Sequence, residues 1–165
     1  MQKVDRRNNP KKAVCIMHSS EQQCGIVEVM DHGENRKKQC NVRYYITGLT
    51  PGLHGFHLHQ YGDQTKGCES MGPHYNPKNK RHGGLRSRER HAGDFGNIRA
   101  NEDGEALGSF SVSGFNVSDI VGRGMVVHAK RDDLGRYRRT DQGSATTGNS
   151  GARVCCGVVA LSQEQ

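Results

Sequence analysis

Residues 53–61 read LHGFHLHQY, a short run in which apolar and polar side chains alternate. Such alternation predicts a β-strand. Because successive side chains on a strand point to opposite faces, His57 and His59 are expected together on one face. Phe56 and Leu58 are expected on the other. The run therefore predicts a strand with one core side and one side that carries two imidazoles.

Similar short segments on both sides of this run predict the remaining strands. In chain order they are residues 12–18, 25–31, 41–47, 94–100, 105–112, 125–130 and 154–161. Gly, Asn and Asp separate many of these segments, and the chain contains 22 glycines and no tryptophan. Many short strands between turn residues are typical of a sandwich or a barrel. The chain is therefore predicted to be all-β, with eight strands.

Two long segments without clear periodicity interrupt this pattern, at residues 64–90 and 131–153. Loops of that length in a compact domain are usually functional or disordered. Residues 1–11 are polar and charged and are expected to form a flexible N-terminal extension. Residues 12–165 are expected to form one domain, since a chain of 165 residues is long enough to bury its own core.

The chain is basic, with a formal net charge of +7 and a pI near 9.3. The basic residues cluster at 3–12, 78–90 and 130–139, and such a balance favours anionic partners. Nucleic acid is not the expected partner, because the chain has no zinc-finger or RNA-recognition motif and only 5% aromatic residues.

The sequence also bears on cellular location. No stretch approaches the roughly 20 apolar residues of a membrane-spanning helix, so no membrane association is expected. The first residues are polar, and no apolar signal segment follows them. The sequence alone therefore favours a cytoplasmic location, although a mature secreted chain would have the same features.

Histidines and one aspartate recur after the first pair at spacings that suit two bound metal ions. They are His74, His82, His91, Asp94 and His128. Imidazole and carboxylate ligands suit zinc and copper, whereas calcium or magnesium would require mostly oxygen ligands. One pair of histidines means little, but seven candidate ligands in a small domain predict a metal centre.

Six motifs of the chain resemble those of the copper/zinc superoxide dismutases, of the eukaryotic cytosolic type. They are GFHLH at 55–59, GPHYNP at 72–77, HGG at 82–84, RHAGD at 90–94, VH at 127–128 and GNSGAR at 148–153. The resemblance implies an eight-stranded Greek-key β-sandwich or barrel with two long functional loops. It also implies an oxidoreductase that converts superoxide to dioxygen and hydrogen peroxide.

The resemblance assigns roles to individual residues. The implied copper ligands are His57, His59, His74 and His128, and the implied zinc ligands are His74, His82, His91 and Asp94. His74 would bridge both metals, copper would cycle between Cu(II) and Cu(I), and zinc would be structural. Asp132 would link one ligand of each metal. Arg153 would hold the superoxide anion beside copper.

The chain departs from the family pattern near the expected substrate channel. Gln60 stands where a glutamate is common in the family. Residues 136–141 read RYRRTD instead of the usual Glu- and Lys-bearing pattern. We expect the basic loop at 130–139, with Arg136, Arg138 and Arg139, to attract superoxide electrostatically.

The chain has six cysteines, and the resemblance implies a disulfide for only two of them. No C-x-x-C pair is present, so a thiolate zinc site is not expected. The resemblance implies a disulfide between Cys68 and Cys156, which would tie the first long loop to the last strand. Cys155 would face the opposite side of that strand. The remaining cysteines, Cys15, Cys24 and Cys40, are expected to be free.

Three histidines lie outside the ligand motifs. His54 is expected to pack or to hydrogen-bond in the interior, and His18 and His32 are expected to be exposed.

The resemblance also implies partners. It suggests a homodimer, and a copper metallochaperone is a candidate partner. The implied dimer interface consists of Ile16, Tyr61, Gly62, Val121 and residues 158–161. Two other functions remain open: a superoxide dismutase-like metal-binding module, such as a copper-chaperone domain or an inactive decoy, and a zinc-stabilised structural domain that binds polyanions.

Overall fold

The computed structural model describes residues 11–20, 22–32 and 38–163, so the expected N-terminal extension lies almost entirely outside the described residues. The described strands are β1 Lys12–Ser19, β2 Gln22–Asp31, β3 Gln39–Ile46, β4 Gly52–His59, β5 Thr65–Cys68, β6 Asp94–Ala100, β7 Ala106–Ser113, β8 Gly124–His128 and β9 Arg153–Leu161. A 3-10 helix, Glu69–Met71, follows β5. The short helices α1 Val117–Ile120 and α2 Gln142–Thr146 lie on either side of β8.

Eight of the strands form one antiparallel sheet in the order β6-β4-β8-β9-β1-β2-β3-β7. Neighbours in the sheet are mostly distant in sequence, as in β3 with β7 and β4 with β8. The edge strands β6 and β7 approach each other and nearly close the sheet into a barrel. The predicted all-β, eight-stranded Greek-key architecture is confirmed.

The eight predicted strands are observed with ends shifted by at most three residues, and β4 and β8 each end two residues earlier than expected. Residues 60 and 61 were expected in β4, yet their N–H groups donate to Pro73 O at 2.9 Å and to Met71 O at 3.0 Å. Residues 129 and 130 were expected in β8, but their N–H groups donate to Ala152 O and Ser150 O. The backbone after each strand therefore hydrogen-bonds to a long loop instead of continuing its strand.

Strand β4 is buried on both of its faces. Phe56 is fully buried in the core, where its ring lies 5.3 Å from that of Phe95. His57 and His59, on the opposite face, are only 0% and 1% exposed. A strand of a barrel normally has one solvated face. The long loops cover that face here, and they enclose the two imidazoles.

The connections between strands contain regular structure too short to produce a periodic signal. The first long loop, predicted without regular structure, contains β5 and the 3-10 helix, the second contains helix α2, and helix α1 lies between β7 and β8. Helix α2 begins after Asp141, whose carboxylate accepts from the N–H groups of Gly143 and Ser144. Helix α1 begins after Asn116, which forms a reciprocal capping box with Asp119. Side-chain caps of this kind were the available sequence signal. Helices of one turn give no hydrophobic period to detect.

The structure contains two disulfides. Cys68 is bonded to Cys156, across 88 residues of chain, and Cys24 is bonded to Cys155. The expectation that Cys24 is free was therefore wrong. Cys155 and Cys156 do point to opposite sides of β9, and Cys155 enters the core, where Cys24 of β2 is also buried. Sequence alone could not identify this pair, because six cysteines allow many pairings. Cys15 and Cys40 are buried free thiols.

We expect the Cys24–Cys155 disulfide to contribute to stability and not to chemistry. The Cys24–Cys155 disulfide restrains the unfolded chain by closing a loop. Because Cys68–Cys156 already joins two distant parts of the chain, the additional loop that it closes is little longer than residues 24–68. In the chain-entropy model such a loop is worth about 4 kcal/mol. Replacing both Cys24 and Cys155 with alanine should therefore lower the melting temperature by roughly 10 °C in calorimetry.

The matched control replaces Cys15 and Cys40 with alanine, because this variant also removes two buried sulfur atoms but no disulfide. It should melt clearly above the Cys24→Ala/Cys155→Ala variant. Equal melting temperatures for the two variants would show that lost packing, and not the cross-link, accounts for the effect.

Among the described residues, no helix is both long and apolar enough to cross a bilayer.

Candidate metal centre

Four histidines converge above the outer face of β4. They are His57, His59, His74 and His128, and each offers one ring nitrogen within 4.8 Å of the others. Strand β4 supplies two of them, and the last residue of β8 supplies His128. His74 comes from the first long loop. The backbone there pairs with the end of β4 through an isolated antiparallel β-bridge between His59 and His74. The rings of His57 and His74 stack with centroids 3.9 Å apart.

Each of these four rings has one nitrogen without any hydrogen-bond partner. The unpartnered atoms are His57 Nδ1, His59 Nε2, His74 Nε2 and His128 Nε2. Buried polar atoms are nearly always paired, so four unpaired nitrogens in one cluster require an explanation. Imidazole nitrogens are common ligands of copper and zinc. A metal ion bound by the four lone pairs fits this arrangement.

The second nitrogen of each ring is held in place by a protein acceptor. His59 Nδ1 lies 2.8 Å from Gly72 O, and His128 Nδ1 lies 3.0 Å from Gly151 O. His57 Nε2 lies 2.7 Å from Asp132 Oδ2. Such contacts fix the tautomer, so that the opposite nitrogen carries a free lone pair.

Burial keeps these imidazoles neutral. It holds the pKa of His57 and of His59 well below the usual histidine value, and nearby histidines lower both further. Burial also lowers the pKa of His128 to about 4. At neutral pH a metal ion would therefore not have to displace a proton from these rings.

A second cluster surrounds one carboxylate oxygen, Asp94 Oδ1. His74 Nδ1 lies 2.8 Å from this oxygen, His82 Nδ1 lies 3.0 Å from it and His91 Nδ1 lies 3.1 Å from it. Asp94 is fully buried, and its other oxygen accepts from the N–H groups of Gly83 and His91. Burial alone would raise the pKa of Asp94, but its close contacts with the three histidines hold it far below the usual value.

This second cluster offers three nitrogens and one oxygen, a donor set that suits a four-coordinate zinc ion. His82 Nδ1 makes no hydrogen bond despite its distance to Asp94. Donor atoms of His57, His74, His82 and Asp94 also lie within 4.8 Å of one another, a set that contains His57 in place of His91. We assign His57 to the first cluster, because its Nε2 is bound to Asp132 and its Nδ1 faces that cluster, whereas His91 Nδ1 lies beside Asp94. His74 belongs to both clusters, because its Nε2 is unpartnered in the first and its Nδ1 faces Asp94 in the second.

Asp132 connects the two clusters by contacting one histidine of each, at the ring nitrogen that faces away from the cluster. Its Oδ2 lies 2.7 Å from His57 Nε2, and its Oδ1 lies 2.7 Å from His82 Nε2. Asp132 is fully buried. Gly148 packs so closely against Asp132 and His82 that a Cβ atom there would collide with both, and its φ is +71°. Only glycine fits this position without displacing the carboxylate.

Arg153 lies beside the first cluster, half-buried, in β9 opposite His128. Its guanidinium donates to Cys68 O at 2.9 Å and to Gly72 O at 2.7 Å. Gly72 O also accepts from His59, and Cys68 is held by its disulfide to β9. The side chain is 18% exposed, so part of the charge remains accessible.

The three other histidines lie where the sequence predicted. His54 is 2% exposed, and its ring nitrogens lie 2.7 Å from His128 O and 2.7 Å from Thr50 O. It therefore supports the backbone of a candidate ligand without belonging to either cluster. His18 and His32 are exposed.

A cavity of about 720 Å³ leads from the surface to His74, and we name it the vestibule. Three basic residues line it: Lys80, Arg81 and Arg138. Glu89 pairs with both arginines, at 3.0 Å from Arg81 and 3.7 Å from Arg138. The sequence singled out the loop at 130–139 but missed the contribution of Lys80 and Arg81 from the first loop.

The other two loop arginines lie elsewhere. Arg136 and Arg139 line a neighbouring surface cavity, which Arg138 also lines and which does not contain His74. Of the three arginines expected to attract superoxide, Arg138 alone lines the vestibule.

Known proteins match this chain over most of its length. A family model for copper/zinc superoxide dismutase matches residues 24–159. An extracellular Cu-Zn superoxide dismutase of Brugia pahangi is 46% identical over 155 residues, which cover 91% of this chain and 76% of the relative. A Cu-Zn superoxide dismutase of Onchocerca volvulus is 54% identical over 121 residues, which cover 70% of this chain and 76% of the relative.

These relatives overturn the predicted cytoplasmic location, because the Brugia protein is an extracellular enzyme. The two disulfides also fit a secreted type better than a cytoplasmic one, since cytosolic thiols are kept reduced. The absence of an apolar segment at the first residues was too weak a signal for that prediction.

The fold and the two donor clusters agree with the matched family. Both donor sets suit the metals in the family's description, with nitrogen donors in one cluster and nitrogen and oxygen donors in the other. The chain belongs to the copper/zinc superoxide dismutase family of oxidoreductases, whose cofactors are copper and zinc.

Proposed function

We propose that the protein disproportionates superoxide to dioxygen and hydrogen peroxide at a copper ion held by His57, His59, His74 and His128. The observation that carries this proposal is the set of four unpartnered, buried ring nitrogens that face one another. When bound, copper supplies one-electron redox chemistry, taking an electron from one superoxide and giving it to the next.

Arg153 acts as the substrate-binding residue in this proposal. Its guanidinium is fixed by two carbonyl oxygens, and its Nε lies 3.9 Å from the exposed carboxylate of Glu69. The N–H groups outside these contacts can donate to an anion. A preorganised cation in a half-buried site attracts an anion more strongly than one in open solvent. Arg153 thus orients superoxide beside the first cluster.

His74 acts in proton transfer. Its Nδ1 is held against Asp94, while its Nε2 faces the first cluster. A proton can therefore be held at Nε2 in one half of the cycle and passed to the reduced oxygen species in the other. The ring keeps its position meanwhile, because the contacts at Nδ1 do not change.

We assign zinc to His74, His82, His91 and Asp94 and propose that its role is structural. All four donors come from the protein, so the site is closed, as in structural zinc sites. Three of the donors lie in the first long loop or at its end. Zinc would therefore order a segment that has few apolar side chains to bury.

The direct test is to measure metal content and superoxide decay together in the purified protein. Full activity should require copper in about one equivalent per chain, and zinc alone should give none. A correctly folded, copper-loaded protein without activity would instead indicate a metal-binding module of the same fold.

We also propose that the enzyme is extracellular, in line with its Brugia relative and its two disulfides. Because the copper ligands are nearly inaccessible, a copper-delivering protein is a suitable partner for metal loading.

We further propose a homodimer formed around β1 and β9. Ile16 and Val158 neighbour the paired residues Cys15 and Val159 and are partly exposed, while Tyr61 and Leu161 are 51% and 60% exposed. Val159, by contrast, is 1% exposed and belongs to the core. The exposed members form an apolar surface of the kind that self-associates by two-fold symmetry.

Light scattering should give twice the chain mass of 18.2 kDa. In a two-fold interface, Leu161→Asp introduces one buried negative charge from each subunit. It should therefore weaken association by at least about 100-fold. Leu107→Asp is the matched control, because Leu107 is 78% exposed and lies on β7. A monomeric wild type, or equal effects of the two variants, would refute this interface.

A further inference from the structure

The first long loop places a carboxylate beside the arginine that binds the substrate. Glu69 Oε2 lies 3.9 Å from Arg153 Nε. In the part of the chain that the structure describes, no other carboxylate lies within 4.0 Å of the Arg153 guanidinium. The Glu69 side chain is 73% exposed, whereas that of Arg153 is 18% exposed. The proposed reaction uses Arg153 but gives no role to this glutamate.

The backbone that carries Glu69 is held on both sides. Glu69 is the first residue of the 3-10 helix, and its neighbour Cys68 is joined to β9 by a disulfide. Met71, at the other end of the helix, is fully buried. The carbonyl oxygens of Cys68 and Gly72 accept from the Arg153 guanidinium. Glu69 therefore belongs to the same short segment that positions Arg153, and its charge stays close to the arginine in any rotamer.

The contact between Glu69 and Arg153 is an ion pair without a hydrogen bond. A separation of 3.9 Å is beyond the range of N–H···O hydrogen bonds. Two N–H groups of the guanidinium donate to carbonyl oxygens, and it is the Nε atom that faces the carboxylate. An ion pair with so exposed a partner adds little stability, because water solvates the glutamate well on its own. An incoming anion can therefore displace the carboxylate from Arg153 easily.

Glu69 acts on an approaching anion through its charge. Burial lowers the pKa of Arg153, and the nearby Glu69 charge opposes that effect. When an anion displaces the Glu69 side chain, the negative charge remains in the neighbourhood and repels the anion. Coulomb repulsion is proportional to the charge of the anion, so a dianion loses about twice as much binding free energy as a monoanion. The factor by which Glu69 weakens binding is therefore squared for a dianion.

We propose that Glu69 is a specificity-determining residue, which makes the Arg153 site select the monoanion superoxide over dianions such as sulfate and hydrogen phosphate. An arginine without a neighbouring carboxylate would favour the dianions, because attraction to a cation also grows with the charge of the anion. Glu69 lowers the net positive charge of the site and so weakens dianion binding more than superoxide binding. This inference rests on the proposed function, in which Arg153 binds superoxide.

The test replaces Glu69 with glutamine, which removes the charge and keeps the shape of the side chain. At about 0.01 M ionic strength the rate constant of superoxide decay should rise by about 3-fold, as expected for one unit charge at roughly 7 Å in water. Sulfate affinity is measured by isothermal titration calorimetry on the metal-loaded protein at the same ionic strength. It should rise by about 10-fold, close to the square of the first factor.

Glu102→Gln is the matched control, because Glu102 is exposed and lies in the turn between β6 and β7, outside both long loops. It has the same net charge as Glu69→Gln and should keep both values within about 1.5-fold of wild type. Arg153→Ala should lose this sulfate site, and adding Glu69→Gln to it should not restore binding. Melting temperature and metal content establish that each variant is folded.

Three results would overturn the proposal. Equal effects of Glu69→Gln and Glu102→Gln would reduce the effect to net charge. An equal change for superoxide and for sulfate would show that Glu69 acts on the shape of the site and not through its charge. A slower reaction and weaker sulfate binding in Glu69→Gln would show that the carboxylate merely holds Arg153 in place.

The sulfate titration separates this inference from the proposed function, because it does not depend on superoxide decay. A metal-loaded wild type that does not accelerate superoxide decay would refute the proposed function. A sulfate affinity that Glu69→Gln leaves unchanged would refute the role of Glu69, whatever the activity.

Discussion

His128→Ala should abolish copper binding and superoxide decay while zinc stays bound. The substitution removes one of four converging nitrogens, His128 Nε2, and leaves His82, His91 and Asp94 untouched. Altering only a hydrogen-bond partner of a ligand already costs 10- to 100-fold in metal affinity, so loss of the ligand itself should cost more than about 100-fold. Metal analysis of the purified protein and a superoxide decay assay give the two readouts.

Asp94→Ala is the reciprocal variant. It removes the oxygen around which three histidines gather, so zinc content should fall and copper should still bind at the first cluster. Because zinc would order the first long loop, this variant should also be cleaved more readily by proteases within residues 64–90.

His18→Ala is the control for loss of a histidine as such, since His18 is exposed and far from both clusters. It should match wild type in metal content and rate. Full activity in His128→Ala, with copper at one equivalent, would refute the ligand assignment.

The sequence predicted the strands well because each has a two-residue period and a fixed place in the barrel. The strand from Asp94 to Ala100 was predicted with both ends correct. The ends of β4 and β8 were misplaced because tertiary hydrogen bonds from the loops, such as Gln60 N to Pro73 O, decide them. No local pattern encodes such contacts.

The candidate site shows a similar division. The spacing of His57 and His59 on a strand predicted their common face from geometry alone. His74, His82 and His91 lie in or beside a loop without periodicity. Their number and spacing predicted a metal centre, but only the family resemblance assigned them to one ion. Neither strand geometry nor the family resemblance indicated the Cys24–Cys155 disulfide, which joins β2 and β9 across the core.

Arg153→Ala should slow superoxide decay by roughly 10- to 100-fold at every salt concentration, since it removes the cation that orients the substrate. Copper and zinc contents should remain at wild-type values, because Arg153 contacts carbonyl oxygens and no candidate metal ligand. Wild-type activity in Arg153→Ala would exclude a role for this residue in binding superoxide. Arg153→Lys should recover part of the rate, as it keeps the charge but loses the two fixed hydrogen bonds.

Salt separates this local role from attraction over a longer range. The vestibule is lined by Lys80 and Arg138, whereas Arg136 and Arg139 line another cavity. Lys80→Ser/Arg138→Ser and Arg136→Ser/Arg139→Ser therefore remove the same charge from different places. At about 0.01 M salt the screening length is roughly 30 Å, so both variants should slow the reaction.

At about 0.1 M salt the screening length falls to roughly 10 Å, and only charges near the path of the anion still act on it. Under these conditions Lys80→Ser/Arg138→Ser should be about 3- to 10-fold slower than wild type, while Arg136→Ser/Arg139→Ser should match it. Near 1 M salt all three proteins should converge. Glu89→Gln should have the opposite sign and speed the reaction at 0.1 M, because it frees Arg81 and Arg138 from their shared carboxylate. If the two double variants slowed equally at 0.1 M, the vestibule would not be the route by which superoxide reaches His74.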